Sequence, residues 1–215
     1  MYLSRLFLSE GNRQANQDLR SPYALHQSIR WAFPGAGEAG GPLPDGERLL
    51  WRNDDSKGLL VQSVTCPDWP ALEDRWPGYF RGVEVRPLNL SGLREGDRLL
   101  FRLRANVTVS RYRNGQDRAA DPRTKREALR GAREQLEWLD RQGERGGFTV
   151  LGADIVQSGN VRLYKARGGA PMTLFAVTFE GLLAVENADQ LAQTVQGGIG
   201  KAKSLGFGLL SLARG

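Results

Sequence analysis

The sequence predicts an α+β fold of two tandem βαββαβ halves, and three observations carry that expectation. Along the 215 residues the order strand, helix, strand, strand, helix, strand can be read twice. Helix candidates come with start or stop signals, among them Ser21-Pro22, Asn187 and Gly146-Gly147. The two runs meet at a junction near residues 88–96, which gives halves of 1–90 and 95–215.

In the first half, Tyr2 to Leu8 reads as a strand. Residues 22–33 read as a helix: Ser21 is a good N-cap, Pro22 sits at the first helical position, and Leu25, Ile29, Ala32 and Phe33 recur at helical spacing. The breaker-rich stretch from Pro34 to Gly46 is a loop. Arg48 to Arg52 and Leu59 to Val64 are short strands on either side of the turn-forming run Asn53 to Gly58, as in a hairpin. Prolines limit Pro67 to Glu73 to a short helix, and Phe80 to Val85 is the last strand.

The second half repeats the order. Arg98 to Arg104 is a strand, which the β-branched run Val107-Thr108-Val109 can extend. Arg111 to Arg123 is polar and basic, holds Gly115 and Pro122, and is expected to be a loop. Thr124 and Glu127 form a capping box that would open a helix with the apolar stripe Leu129, Ala132, Leu136 and Leu139, closed by Gly146-Gly147. Phe148 to Val156 and Met172 to Val185 are strands, with Gly159 to Gly169 as a basic insertion or extra hairpin between them. Asn187 caps a helix with Leu191 and Val195 inward and Gly197 as its stop, and Phe207 to Leu212 closes the half as a strand. Both halves have the order of the ferredoxin-like, RRM-like fold.

No run approaches the roughly 20 apolar residues of a membrane span. The first eight residues are too short and too quickly polar for a signal peptide. The single cysteine, Cys66, forms no internal disulfide and fits a reducing cytoplasm. One histidine and one cysteine exclude a zinc site built from those ligands alone. Net charge is +6, from 25 Arg and 5 Lys against 24 acids, and it is not spread evenly. Residues 102–145 carry twelve basic and seven acidic side chains, and residues 198–215 carry three basic and none acidic. Such patches point to a polyanion partner, and Arg's planar fork suits phosphate.

Chemistry near neutral pH has one candidate imidazole, His26. On the first helix Tyr23 and His26 stand three residues apart and so share a face. Taken alone, the segment also reads as a tyrosine and a histidine that border a packing face.

The run Gly198-Ile199-Gly200-Lys201-Ala202-Lys203-Ser204-Leu205-Gly206-Phe207-Gly208 has neither P-loop nor dinucleotide-fingerprint spacing. Its paired glycines allow close backbone approach, with Lys201 and Lys203 as donors, so it reads either as a clamp on a nucleic-acid backbone or as a plain helix-to-strand connection. The pattern of Gly-x-Gly, five residues, Gly-x-Gly before a last strand resembles the signature of the repeat-associated RNA-binding superfamily of CRISPR systems. Met1-Tyr2-Leu3-Ser4, Leu25-His26-Gln27, Phe101 to Asn106, Phe179-Glu180-Gly181 and Gly208 to Leu212 extend the resemblance along nearly the whole chain, and narrow it to the precursor-RNA endoribonucleases of type I-E Cascade.

That resemblance implies two tandem ferredoxin-like domains and cleavage of CRISPR repeat transcripts at the base of a stem-loop, with no metal or other cofactor. It further implies retention of the mature guide RNA and assembly with other Cascade subunits. It puts the family's histidine on His26, its tyrosine on Tyr23 and a lysine on Lys165, a position that Arg162 or Arg167 could also fill. Proline commonly follows the Arg-Ala-Asn and Gly-Ile-Gly motifs in relatives, where this chain has Val107 and Lys201.

RNA supplies its own nucleophile in the 2′-hydroxyl, so the protein needs to align the linkage, exchange protons and stabilise charge on phosphorus. His26 could serve as base or acid. Folded RNA is read by shape and phosphates. The surfaces expected to do so are a basic helix over 125–142 with Arg126, Arg130 and Arg133, the insertion with Arg162, the strand residues Arg102 and Arg104, and the loop residues Gly198, Gly200, Lys201, Lys203, Gly206 and Gly208. The competing expectation is a non-catalytic RNA-hairpin-binding module of a ribonucleoprotein complex.

Overall fold

Alternating burial builds the first sheet. β1 (Tyr2–Leu8) buries Ser4, Leu6 and Leu8 on one face. The computed structural model describes residues 1–33, 43–112, 125–163 and 172–215. After β1 come α1 (Arg13–Leu19), α2 (Pro22–Ile29) with a 3₁₀ turn at Arg30–Ala32, β2 (Leu50–Asn53), β3 (Leu59–Ser63), α3 (Trp69–Arg75) and β4 (Phe80–Pro87). The strands form one antiparallel sheet in the order β2-β3-β1-β4, the ferredoxin-like arrangement. The helices cover one face around Leu6, Leu25, Ile29, Trp51, Val61, Trp69 and Tyr79.

The second unit holds β5 (Arg98–Asn106), β6 (Thr108–Arg111), β7 (Lys125–Ala128), α4 (Ala132–Gly146), β8 (Phe148–Leu163), β9 (Met172–Val185), α5 (Ala188–Gly197) and β10 (Leu210–Arg214). Its main sheet runs β10-β5-β9-β8, which is the same topology again, and its core gathers Phe101, Leu103, Leu139, Phe148, Phe179 and Leu191. Asn187 caps α5 by accepting from the Gln190 amide, as the sequence predicts.

Five features differ from the expected order. α1 is an unforeseen helix: its sequence, Arg-Gln-Ala-Asn-Gln-Asp-Leu, has no apolar stripe, and it is held instead by an Asn12 cap and by buried Asp18. Residues 125–128, expected as the opening of the basic helix, are strand β7, paired with β6 from Thr108↔Ala128 to Arg111↔Lys125. Val107-Thr108-Val109 accordingly leads into this separate ribbon. α4 starts only at Ala132 with Gly131 as N-cap; Thr124 lies outside the described residues, and Gln135 donates to the Leu129 carbonyl at 3.0 Å. β8 continues to Leu163, pairing with β9 as far as Leu163↔Met172, so Gly159 and Arg162 belong to one long hairpin. β10 begins at Leu210, because Phe207 and Gly208 still belong to the loop.

The two sheets meet through Leu3, Leu50, Leu60 and Leu209, and Gln62 donates to the Val195 carbonyl at 2.8 Å. Between their faces lies a cleft of about 570 Å³ lined by Leu3, Arg5, Arg86, Arg102 and Glu180 among others. Among the described residues no helix is long and apolar enough to cross a membrane.

The fully buried Tyr79 hydroxyl donates to Asp18 Oδ2 at 2.7 Å, and Gln14 donates to Oδ1 at 3.0 Å, so α1 is tied to the strand end through a buried carboxylate. Burial raises the Asp18 pKa, and the Ser28, Tyr79 and Gln14 hydrogen bonds oppose that rise. Tyr79→Phe leaves that acceptor short of a partner at a cost of about 2 kcal/mol, which thermal unfolding reads as a drop of about 6 °C. An unchanged melting temperature would show that α1 does not depend on this bond.

Candidate active site

The local sequence of α2 sets the geometry of the imidazole. Ser21 Oγ accepts from the Ala24 amide at 3.2 Å, Pro22 opens the helix, and Leu25 and Ile29 point into the core. That leaves Tyr23, 39 % exposed, and His26, half-buried, on the neighbouring face. His26 Nδ1 is enclosed with no hydrogen-bond partner. Burial, and next the positive charge of Arg30 one turn on, pull the His26 pKa down from 6.5 to about 4. The ring is therefore neutral at physiological pH.

The glycine-rich segment comes from the other unit and packs on this helix. Its 3₁₀ turn, Lys203–Leu205, lies against α2. The Ile199 amide donates to the Gly208 carbonyl at 2.8 Å, the Gly208 amide to the Arg104 carbonyl at 2.7 Å, and Lys201 pairs with Asn106 at the end of β5. Lys203 Nζ donates to the Gly197 carbonyl at 2.6 Å, and burial followed by the Arg48 and Lys201 charges lowers its pKa.

Close packing explains three of the glycines. A Cβ on Gly206, at φ +84°, would sit 2.6 Å from the Trp51 ring, and one on Gly198 would sit 2.8 Å from Leu50. A Cβ on Gly208 would meet the Ile199 carbonyl at 2.5 Å. Only Gly200 has room, with Trp138 3.5 Å away. The loop thus wraps around the edge strand β2, touching Trp51 on one face and Leu50 on the other.

The predicted arginines divide into two groups. Arg102 and Arg104 project from the side of β5 opposite its core residues. Arg102 pairs with Asp54 (3.3 Å) and Glu180, inside the junction of the sheets. Arg104 lies over the Phe207 ring at 5.4 Å, its Nε enclosed without a partner and its pKa lowered by burial. Arg126, Arg130, Arg133 and Arg162 are all exposed, on β7, the turn after it, α4 and β8. Arg130 reaches Asn160 at 3.5 Å and covers Phe175, which brings the β7–α4 turn against the long hairpin that carries Arg162. Arg133 pairs with Glu137 along its own helix. Lys165 and Arg167 lie outside the described residues.

The enclosed, partnerless atoms of His26, Trp51, Arg104 and Asn106 belong to the elements against which the loop packs, and that of Arg30 to the turn that follows α2. Arg30 and Asn106 were not foreseen. Position i+4 from His26 is the signal that could have found Arg30. Among the described residues no three His, Cys, Asp or Glu side chains are placed to hold a metal ion.

The fold and the site together define a tandem ferredoxin-like protein whose one histidine lies on the helix against which a glycine-rich loop packs. A family model described as CRISPR associated protein matches residues 1–214, and the chain belongs to that family. It is 35 % identical, over 99 % of its length and all of the relative, to the CRISPR-associated endoribonuclease Cse3 of Thermus thermophilus. It is 30 % identical, over 99 % of both chains, to the CRISPR system Cascade subunit CasE of Escherichia coli. A structure of CRISPR endoribonuclease Cse3 bound to 19-nt RNA superposes with a TM-score of 0.81 at 36 % identity, covering 99 % of this chain and 97 % of that one.

Because the His26 pKa is lower folded than unfolded, the unfolded chain takes up this proton first as acid is added, and stability is lost between pH 6.5 and about 4. His26→Gln removes that loss. Its melting temperature should gain on the wild type by about 4 °C between pH 7 and pH 5; a gap that stays constant over this range would contradict the lowered pKa.

Proposed function

We propose that this chain is the endoribonuclease that cuts CRISPR repeat transcripts at the base of the repeat stem-loop, without a metal ion, and keeps the mature guide RNA as a Cascade subunit in the cytoplasm. The observation that carries this is the sole histidine, held neutral on α2 against the glycine-rich loop, in a chain alike over its whole length to a CRISPR endoribonuclease. The RNA-bound Cse3 structure and the Cascade relative support the substrate and the assembly.

In the reaction the 2′-hydroxyl attacks the adjacent phosphorus in line, the bond from phosphorus to O5′ breaks, and the products are a 2′,3′-cyclic phosphate and a 5′-hydroxyl. A neutral imidazole is a base, so His26 takes the 2′-hydroxyl proton, through Nε2 because Nδ1 is enclosed. Tyr23, exposed beside it, orients the ribose or supplies the proton to the departing oxygen. Lys165, assigned by resemblance, offsets charge on the phosphorane. Arg126, Arg130, Arg133 and Arg162 hold phosphates of the stem, and the backbone of the loop with Lys201 holds the strand near the cut.

His26→Ala should slow single-turnover cleavage of a labelled repeat hairpin by roughly 10² to 10⁴-fold, with affinity within a few-fold of wild type and EDTA without effect on either protein. Uncut hairpin that stays tightly bound to the wild type would make the chain a binding module instead. The pH dependence of kcat/KM, which reports the free enzyme, should be flat from pH 5.5 to 8 and fall only toward pH 4; a rate that declines with rising pH would make His26 the acid. Affinity should weaken with salt, the logarithmic slope being about −3 for four phosphate contacts.

A further inference from the structure

Arg52 sits in the middle of β2, in the run Leu50-Trp51-Arg52-Asn53, and is 3 % exposed. A buried guanidinium is tolerated only if its five donors are all met. Here they are. Nε and Nη2 grip Asp54 at 2.7 and 2.9 Å, Nη1 donates to the carbonyls of Arg102 at 3.0 Å and Leu209 at 3.2 Å, and Nη2 donates to Ser211 Oγ at 3.0 Å. Asp54 is on the same unit as Arg52, whereas Arg102, Leu209 and Ser211 are on the other. Leu209 directly follows the glycine-rich loop, and Arg102 lies on β5, the strand to which the loop's Gly208 amide is bonded through Arg104.

Three consecutive residues of β2 therefore meet the loop: Leu50 at Gly198, Trp51 at Gly206, and Arg52 at its exit. Leu50 and Trp51 supply shape, and Arg52 alone supplies directional bonds. The loop in turn packs on α2, which carries His26.

We propose that Arg52 is a positioning residue for cleavage: it fixes the exit of the glycine-rich loop on the edge of the first sheet, and so sets where RNA held by the loop meets the imidazole. This rests on the endoribonuclease function. It does not touch the substrate, so its loss should leave binding largely intact and misplace the scissile linkage. A displacement of about 1 Å costs on the order of 10²-fold in rate.

The test is Arg52→Lys, which keeps the charge and loses the fork, with Arg52→Gln as a second variant. Two measurements are made on each: single-turnover cleavage against hairpin affinity, and amide hydrogen exchange. The expected result is a maximal rate at least 30-fold lower with affinity within about threefold, and faster exchange at Ile199 and Gly208 while the sheet amide of Leu60 stays protected. Loop amides that exchange as in the wild type, or a maximal rate that does not change, overturn the proposal. So do rate, affinity and Leu60 protection falling together, the mark of a destabilised fold. If the wild type fails to cut the hairpin, the function is wrong, and exchange alone then decides whether Arg52 holds the loop.

Discussion

The contact on which the rest of this structure depends is the closure of the glycine-rich loop around the edge strand β2. An edge strand offers unpaired backbone groups and, here, a buried cation. The loop covers one face at Trp51 and the other at Leu50, while Arg52 holds the Asp54 carboxylate of its own unit and two carbonyls of the other. Without that closure the imidazole on α2 and the backbone that would hold RNA belong to separate units, each with its own core. With it, a helix near the start of the chain and a loop near its end form one site.

The arginine excess acquires meaning only when sorted by environment. Arg52 faces Asp54 inside the junction, where desolvation makes pairing obligatory, and Arg102 pairs with Asp54 and Glu180 at its half-exposed rim. Arg126, Arg130, Arg133 and Arg162 stand in solvent, where a charge is available to a phosphate. Both groups look alike as composition. Arg104 falls between them, stacked on Phe207 with its Nε enclosed and unpartnered.

The repeated order of strands and helices was legible because each core strand carries enough apolar residues and each main helix a cap. α2 was legible in detail, down to Ser21 and Pro22 and the shared face of Tyr23 and His26. α1 was hidden, because a polar seven-residue helix is stabilised by Asp18 and Tyr79, 61 residues apart, and not by its own pattern. Residues 125–128 were misread because a capping box describes local preference, whereas β6 provides a partner that overrides it. The meeting of the loop with α2, and the bonds of Arg52, arise from the docking of one half on the other. Such proximity has no local trace, apart from a charged residue set among leucines and a tryptophan.

The segment that joins the halves has a consequence of its own. It runs only from Leu88 to Asp97, and Leu88, Leu90 and Leu93 are pinned against the second core. A tether this short keeps the two faces at an effective concentration on the order of 1 mM or more. A junction that separate chains would hold with a dissociation constant near 0.1 mM would then be closed about nine-tenths of the time. Modest leucine contacts and one satisfied guanidinium suffice, and an RNA spanning both halves would draw the remaining open molecules shut.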